Sequence, residues 1–235
     1  MMHFKSVQES STLPTNIRPG SEHYEIRAAT ENDSEAIVYH LRKFFFKDEP
    51  LNVAVELTNS EKSSCEELES YSLKSICEGT SLMAITSSNY VIGVCLNANV
   101  SKNEICEEEK AICPKFAMVK KFLDYSGNEG TKAISKQFPN VDKIMLVKIV
   151  STDSAWRGKG IAKELLDKSR KIGQQLGYGL MRVDCSSYYS AKAVARLGFQ
   201  CVYELKYEDY KENGQPVFKT KEPHSAFSVY VQKIG

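Results

Sequence analysis

Arg157-Gly158-Lys159-Gly160-Ile161-Ala162 sets two glycines one residue apart, after an apolar run and before a helical pattern. Glycine lets the backbone turn tightly there and lets a ligand approach with no Cβ in the way. The following helix aims its first-turn N–H groups and the positive end of its dipole at one point, and together these attract phosphate. Two other phosphate loops are excluded by spacing. A Walker A loop ends in Gly-Lys-Ser/Thr, whereas Lys159 is followed by Gly160; the dinucleotide fingerprint needs a third glycine or alanine where Lys163 stands. The plain alternative is a surface turn whose glycines only close a loop.

Two other stretches carry reactive groups. Glu49 precedes Pro50 and lies beside Phe44, Phe45, Phe46 and Leu51. A carboxylate partly desolvated by such neighbours has a pKa raised toward the range of a general base. Composition alone reads it as an exposed loop acid. Cys185-Ser186-Ser187-Tyr188-Tyr189-Ser190 leads into a helix, where serine commonly caps the first turn. One of the three successive phenylalanines must face away from the helix core, and Phe45 or Phe46, with Pro50 and Tyr189, would then line an aromatic pocket. His224 reads as a surface histidine or as a border of that pocket, and Trp156 as packing or as a lip of the glycine turn.

The elements that must position these groups follow from periodicity. Ile144, Leu146, Val147, Ile149 and Val150 make a strand that is apolar on both faces and therefore central. Ile161, Leu165, Leu166, Ile172 and Leu176 predict a long helix ending at Gly177, and 179–184 a strand parallel to the central one, a right-handed βαβ unit. Ahead of this unit, Tyr24 to Ala28 alternates as a first strand, and Thr30 to Asp33 has the spacing of a capping box. The helix that follows buries Ile37, Leu41, Phe44 and Phe45 and stops before Pro50. A weaker helix is expected within 60–77, a hairpin from 82–86 and 91–97, and another helix around Phe116 to Leu123, with a further turn at 131–138. Glu107 to Glu109 reads as solvated loop. A short helix over 191–197, strands at 199–206 and 227–231, and a long loop at 207–224 complete one α/β domain with a mixed sheet of about seven strands.

Composition narrows the function classes. The 235 residues are 42% apolar and 26% charged, ordinary for a soluble globular chain. A formal net charge of +1 gives no field that favours nucleic acid or an anionic membrane. Seven cysteines without a C-x-x-C pair show no zinc spacing and suit a reducing compartment, so no metal is expected and the cytosol is. Residues 1–22 read as a flexible polar tail, with the domain over 23–235, and no stretch reads as a signal peptide or a membrane span.

Three stretches in order, FFFKDEPLN (44–52), STDSAWRGKGIA (151–162) and CSSYYSAKAVARLGF (185–199), resemble the insect arylalkylamine N-acetyltransferase family of the GNAT superfamily, including the dopamine N-acetyltransferases. The likeness runs from about Tyr24 to the C-terminus. It implies a single GNAT domain and a monomer that transfers acetyl from acetyl-CoA to a small amine. It further implies Glu49 as general base, Ser186 and Ser190 as catalytic serines, and Arg157, Gly158, Lys159, Gly160, Ile161 and Ala162 as the pyrophosphate loop. Val150, Ser151 and Thr152 would be the strand beside the pantetheine arm. Family members often carry histidine where this chain has Tyr188, a departure within the serine motif. Dopamine, tyramine, octopamine or serotonin are the expected amines. Agmatine or polyamines, a protein amine, or acyl-CoA binding without catalysis are the alternatives.

Overall fold

The computed structural model describes residues 22–58, 62, 64–101 and 113–234, so the expectations for the first 21 residues and for Glu107 to Glu109 lie outside it. Strands β1 (Tyr24–Ala28), β2 (Leu82–Thr86), β3 (Val91–Ser101), β4 (Lys143–Thr152), β5 (Leu180–Cys185), β6 (Gln200–Lys206) and β9 (Ala226–Lys233) form one sheet, ordered β1-β2-β3-β4-β5-β9-β6. Among the described strands only β4 and β5 are parallel neighbours, joined through α5 (Ile161–Gln175). The short strands β7 (Lys211–Glu212) and β8 (Gln215–Pro216) pair with each other inside the expected long loop.

Two layers of helix cover the sheet. One core lies beneath α5 and α6 (Tyr188–Arg196), where Ile161, Leu165, Leu166 and Val194 meet Met145, Val147, Met181 and Val183. On the opposite face, α1 (Ser34–Phe44) packs through Ile37 and Leu41 on Val94, Leu96 and Ile149. Leu51 of α2 (Pro50–Ala54) and Phe122 of α4 (Pro114–Gln137) share a third core with Ile144, Leu180 and Val229. The remaining helix, α3 (Glu66–Leu73), lies within the expected 60–77 segment.

A bulge in β4 shapes the region of interest. Leu96 pairs with Ile149 and Asn97 with Val147, which leaves Lys148 as the extra residue. One inserted residue reverses the pleat. Met145 and Val147 therefore face α5, whereas Ile149 faces α1. Pairing of β4 with β5 stops at Val147 with Val183, and the strands run on separately to Thr152 and Cys185.

Several sequence expectations need correction. The helix expected in two parts around Phe116 to Leu123 and 131–138 is the single 24-residue α4. Its Gly130 tolerates the helix interior because α4 lies close on the sheet, where a Cβ would come within 2.7 Å of Val229 Cγ2. Leu176 is 49% exposed at the C-terminus of α5 and does not join the buried face. Phe46 was expected to be free for a pocket but is fully buried beside Ile37 and Leu41, so it is core. Pro50 does not simply terminate structure; it opens α2, because its missing N–H costs nothing at the first helical position.

Gly93 of β3 sets the height of α5. A Cβ there would stand 3.1 Å from Ile161 Cγ2, 3.2 Å from Leu165 Cδ1 and 3.3 Å from the Ser151 carbonyl. Gly93→Ala is therefore expected to destabilise the protein by about 1 kcal/mol through overpacking at the first turn of α5. A denaturant melt measures this, and an unchanged midpoint would show that the helix has room to move.

Candidate active site

The glycine turn joins the end of β4 to α5. Gly158 and Gly160 have φ of 78° and 83°, the left-handed region that glycine enters without steric cost, and a Cβ on either would meet nothing within 4 Å. The first helical bond of α5 runs from the Glu164 N–H to the Gly160 carbonyl. The N–H groups of Ile161, Ala162 and Lys163 thus have no acceptor within the helix. Ile161 buries its side chain in the core, so only its main chain faces the turn, and Ala162 is half-buried. Arg157 and Lys159 are exposed, Lys159 with its ammonium 4.8 Å from the Trp156 ring centre. Trp156 is 6% exposed and packs beneath the turn.

Upstream, β4 offers a free main-chain edge. The Asp153 N–H donates to the Ile92 carbonyl of β3. Strand groups alternate in direction, so the N–H and C=O of Val150 and Thr152 point the other way, where β5 no longer pairs. Thr152 Oγ1 is buried and without a hydrogen-bond partner. Ser151 turns its hydroxyl to the opposite face, 3.1 Å from Nε2 of the buried His40, whose Nδ1 lies 3.1 Å from the Val91 carbonyl. A carbonyl only accepts, so Nδ1 carries the proton and Nε2 accepts from Ser151. Burial holds the His40 pKa below its ordinary value and keeps the ring neutral.

Glu49 sits where α1 gives way to α2. The residue before a proline is pushed into extended backbone, and Glu49 has φ −71° and ψ 121°. That conformation suits an N-cap, and its carboxylate accepts from the Asn52 N–H at 2.7 Å. The residue is half-buried. Burial raises its pKa, against the Ser186 hydroxyl and the Asn52 and Leu51 N–H groups, which favour the charged form.

Ser186 follows β5 directly, and its carbonyl accepts from the Tyr207 hydroxyl at 2.6 Å. Ser187, not Ser186, is the helix cap, accepting from the Tyr189 and Ser190 N–H groups at 3.2 and 3.3 Å. Ser190 donates to the Ser187 carbonyl at 2.8 Å and also reaches the Cys185 thiol, whose pKa burial pushes up to about 12. His224 Nδ1 accepts from the Tyr188 N–H at 3.3 Å, and its ring stands edge-on to Tyr189 at 5.5 Å. Tyr189 is 63% exposed, Phe45 is half-buried against Phe46, and Pro50 is buried.

The fold thus brings the three sequence groups to one edge. The glycine turn follows the carboxyl end of β4, and the Glu49–Ser186 pair stands at the carboxyl end of its parallel neighbour β5. Crevices at the carboxyl ends of parted parallel strands are where open α/β sheets bind ligands.

No protein-family model matches the chain. Among solved structures, arylalkylamine N-acetyltransferase 2 from Aedes aegypti is 32% identical, covers 90% of this chain and 99% of its own, and superposes with a TM-score of 0.82. The chain belongs to the arylalkylamine N-acetyltransferase family. Like other members of this GNAT group it is an enzyme, an acyltransferase that moves an acetyl group onto an amine. Two further structures share the fold. The Drosophila melanogaster polyamine N-acetyltransferase, an enzyme that catalyses formation of N-acetylagmatine, has 23% identity, 90% and 100% coverage, and a TM-score of 0.79. A mosquito arylalkylamine N-acetyltransferase like 5b has 21% identity, the same coverage and the same TM-score. GNAT acetyltransferases of this kind use acetyl-CoA. Among the described residues of this family member, no cluster of three His, Cys, Asp or Glu is arranged to hold a metal, and no helix is long and apolar enough to cross a membrane.

Proposed function

We infer that this enzyme acetylates small arylalkylamines by direct attack of the amine, with Glu49 as general base. The observation that carries this reading is the half-buried Glu49, its carboxylate fixed by the Asn52 N–H, with Ser186 at the carboxyl end of β5 beside the gap that opens between β4 and β5. An alkylamine of pKa about 10.4 is neutral in only about one molecule in 10³ at pH 7, a deficit of roughly 4 kcal/mol. A carboxylate whose pKa burial has raised is a stronger acceptor for that proton than an exposed one.

The residues at the turn and along β4 fit acetyl-CoA, which supplies the activated acetyl thioester when bound. The amides of Ile161, Ala162 and Lys163, open over two glycines and flanked by Arg157 and Lys159, suit its pyrophosphate. The free edge at Val150 and Thr152, together with the unpartnered Thr152 hydroxyl, suits the amide groups of its pantetheine arm. Ser190 is assigned the donation of a proton to the sulfur that leaves as the thiol of coenzyme A when the acetyl carbon bonds to the amine nitrogen, for which its hydroxyl must turn from the Ser187 carbonyl. Ser186 supports the charge on Glu49.

Aromatic rather than polycationic amines are favoured by what surrounds α6. Tyr188, Tyr189 and His224 present edge-to-face rings at its first turn, where a polyamine would require additional carboxylates. An acyl-CoA-binding module without catalysis would have no use for the desolvated Glu49. A free-thiol release assay over aromatic monoamines, agmatine, polyamines and a peptide tests the assignment. Arylalkylamines are expected to give the highest kcat/KM. Preference for agmatine or polyamines would reassign the substrate, and coenzyme binding with no thiol release on any amine would indicate the binding module.

A further inference from the structure

Tyr207 was read from the sequence only as the start of a long loop, yet it is 2% exposed and among the largest fully buried side chains. Its ring packs on Phe122 at 5.7 Å and Phe218 at 6.2 Å, within the core that also holds Leu51 of α2. Its N–H donates to the Ser225 carbonyl at 3.0 Å, which closes the loop that carries His224. From there the hydroxyl crosses to the Ser186 carbonyl, while His224 takes the Tyr188 N–H. The tripeptide Ser186-Ser187-Tyr188 is thus fastened on both sides of Ser187 to a segment 21 to 36 residues downstream.

We propose that Tyr207 is a positioning residue, which fixes the Ser186 hydroxyl against the Glu49 carboxylate by anchoring the Ser186 carbonyl. Just past the end of a strand the sheet no longer restrains ψ, and a hydrogen bond to the carbonyl of that residue does. The hydroxyl of Tyr207 supplies that hold from a rigid aromatic core, whereas the Ser187 cap acts one residue later and restrains the helix. The Tyr207 phenol faces Glu49 and, separately, the Cys185 thiol. Burial raises the pKa of both and keeps them neutral, so Tyr207 influences the base as a hydrogen-bond anchor rather than as a charge. The inference rests on Glu49 being the base.

A double-mutant cycle tests it on the full chain. Tyr207→Phe is expected to lower kcat/KM roughly five- to tenfold, the worth of one neutral hydrogen bond, and to move the acid limb of its pH profile upward by about half a unit as Glu49 loses Ser186. Ser186→Ala should move the limb the same way. In the Ser186→Ala background, Tyr207→Phe should then have little further effect, because it acts through a group already gone. Independent, multiplicative effects or an unmoved limb would overturn the proposal. Phe218→Leu loosens the same aromatic packing without touching the hydroxyl, so it should lower Tm and leave the limb in place. A limb that moved equally in Phe218→Leu would assign the effect to packing and also overturn it. If Glu49→Gln leaves turnover intact, the base assignment itself fails; if only the cycle is additive, Tyr207 alone is reassigned.

Discussion

Replacing Glu49 with glutamine is expected to cut turnover by about 10² or more and, at neutral pH, to raise the melting temperature. Glutamine keeps the volume and an oxygen to accept the Asn52 N–H, so the cap on α2 survives and the lost quantity is the basic carboxylate. The stability effect follows from linkage. Burial raises the folded-state pKa of Glu49, so the folded protein holds that proton to higher pH than the unfolded chain does. The stability associated with this group is therefore full below the unfolded value of about 4.3 and is lost as pH rises through the folded value. At pH 7 the wild type carries a desolvated charge that the variant lacks, and the difference in Tm should vanish in acid. Steady-state thiol release and melts at pH 4 and 7 check both halves. Unchanged turnover would remove Glu49 from the mechanism, and a lower Tm at pH 7 would show that the carboxylate is a net stabiliser. The same raised pKa places the acid limb of wild-type kcat/KM above the ordinary glutamate range.

The second large effect is expected at the glycine turn. Gly160→Asp should weaken coenzyme A binding by about 10²-fold, since two like charges about 5 Å apart at an effective dielectric of 20 repel by about 3 kcal/mol. Aspartate and asparagine are the side chains that best tolerate the left-handed backbone found here, φ 83° and ψ 1°. Gly160→Asn imposes the same backbone cost without the charge, so the gap between the two variants isolates the electrostatics. The aspartate also favours the helix dipole, and the folded protein should not lose stability relative to the asparagine variant. Calorimetry with coenzyme A measures the comparison. Equal affinities in the two variants would move the phosphate site away from the amides at 161–163.

The central strand, the glycine turn and α5 were legible because each obeys a local rule: β-branched apolar run, positive-φ glycines, helical stripe. Lys148, passed over in reading the run as apolar on both faces, is a bulge that only pairing with β3 reveals, and it bends the strand from β5. Glu49 shows how one residue carries two local signals. The proline after it was read as a stop, although the same residue type also starts helices, and the groups that meet its carboxylate, the Asn52 N–H and the Ser186 hydroxyl, lie in newly formed or distant elements. Tyr207 and His40 left weaker traces. The former is an aromatic just past an alternating strand, and the latter a histidine on the apolar side of a helix between Ile37 and Leu41. Their partners, at Ser186, Val91 and Ser151, are set by tertiary folding.

The parting of β4 from β5 has a corollary for how such a chain drifts. What the open margin presents at 150 and 152 is peptide chemistry, the same for nineteen of the twenty amino acids and altered only by proline, which lacks the N–H. Mutation can therefore rewrite the side chains along that margin without erasing the pattern it displays. Chains that agree with this one at a third of their positions or fewer share its fold.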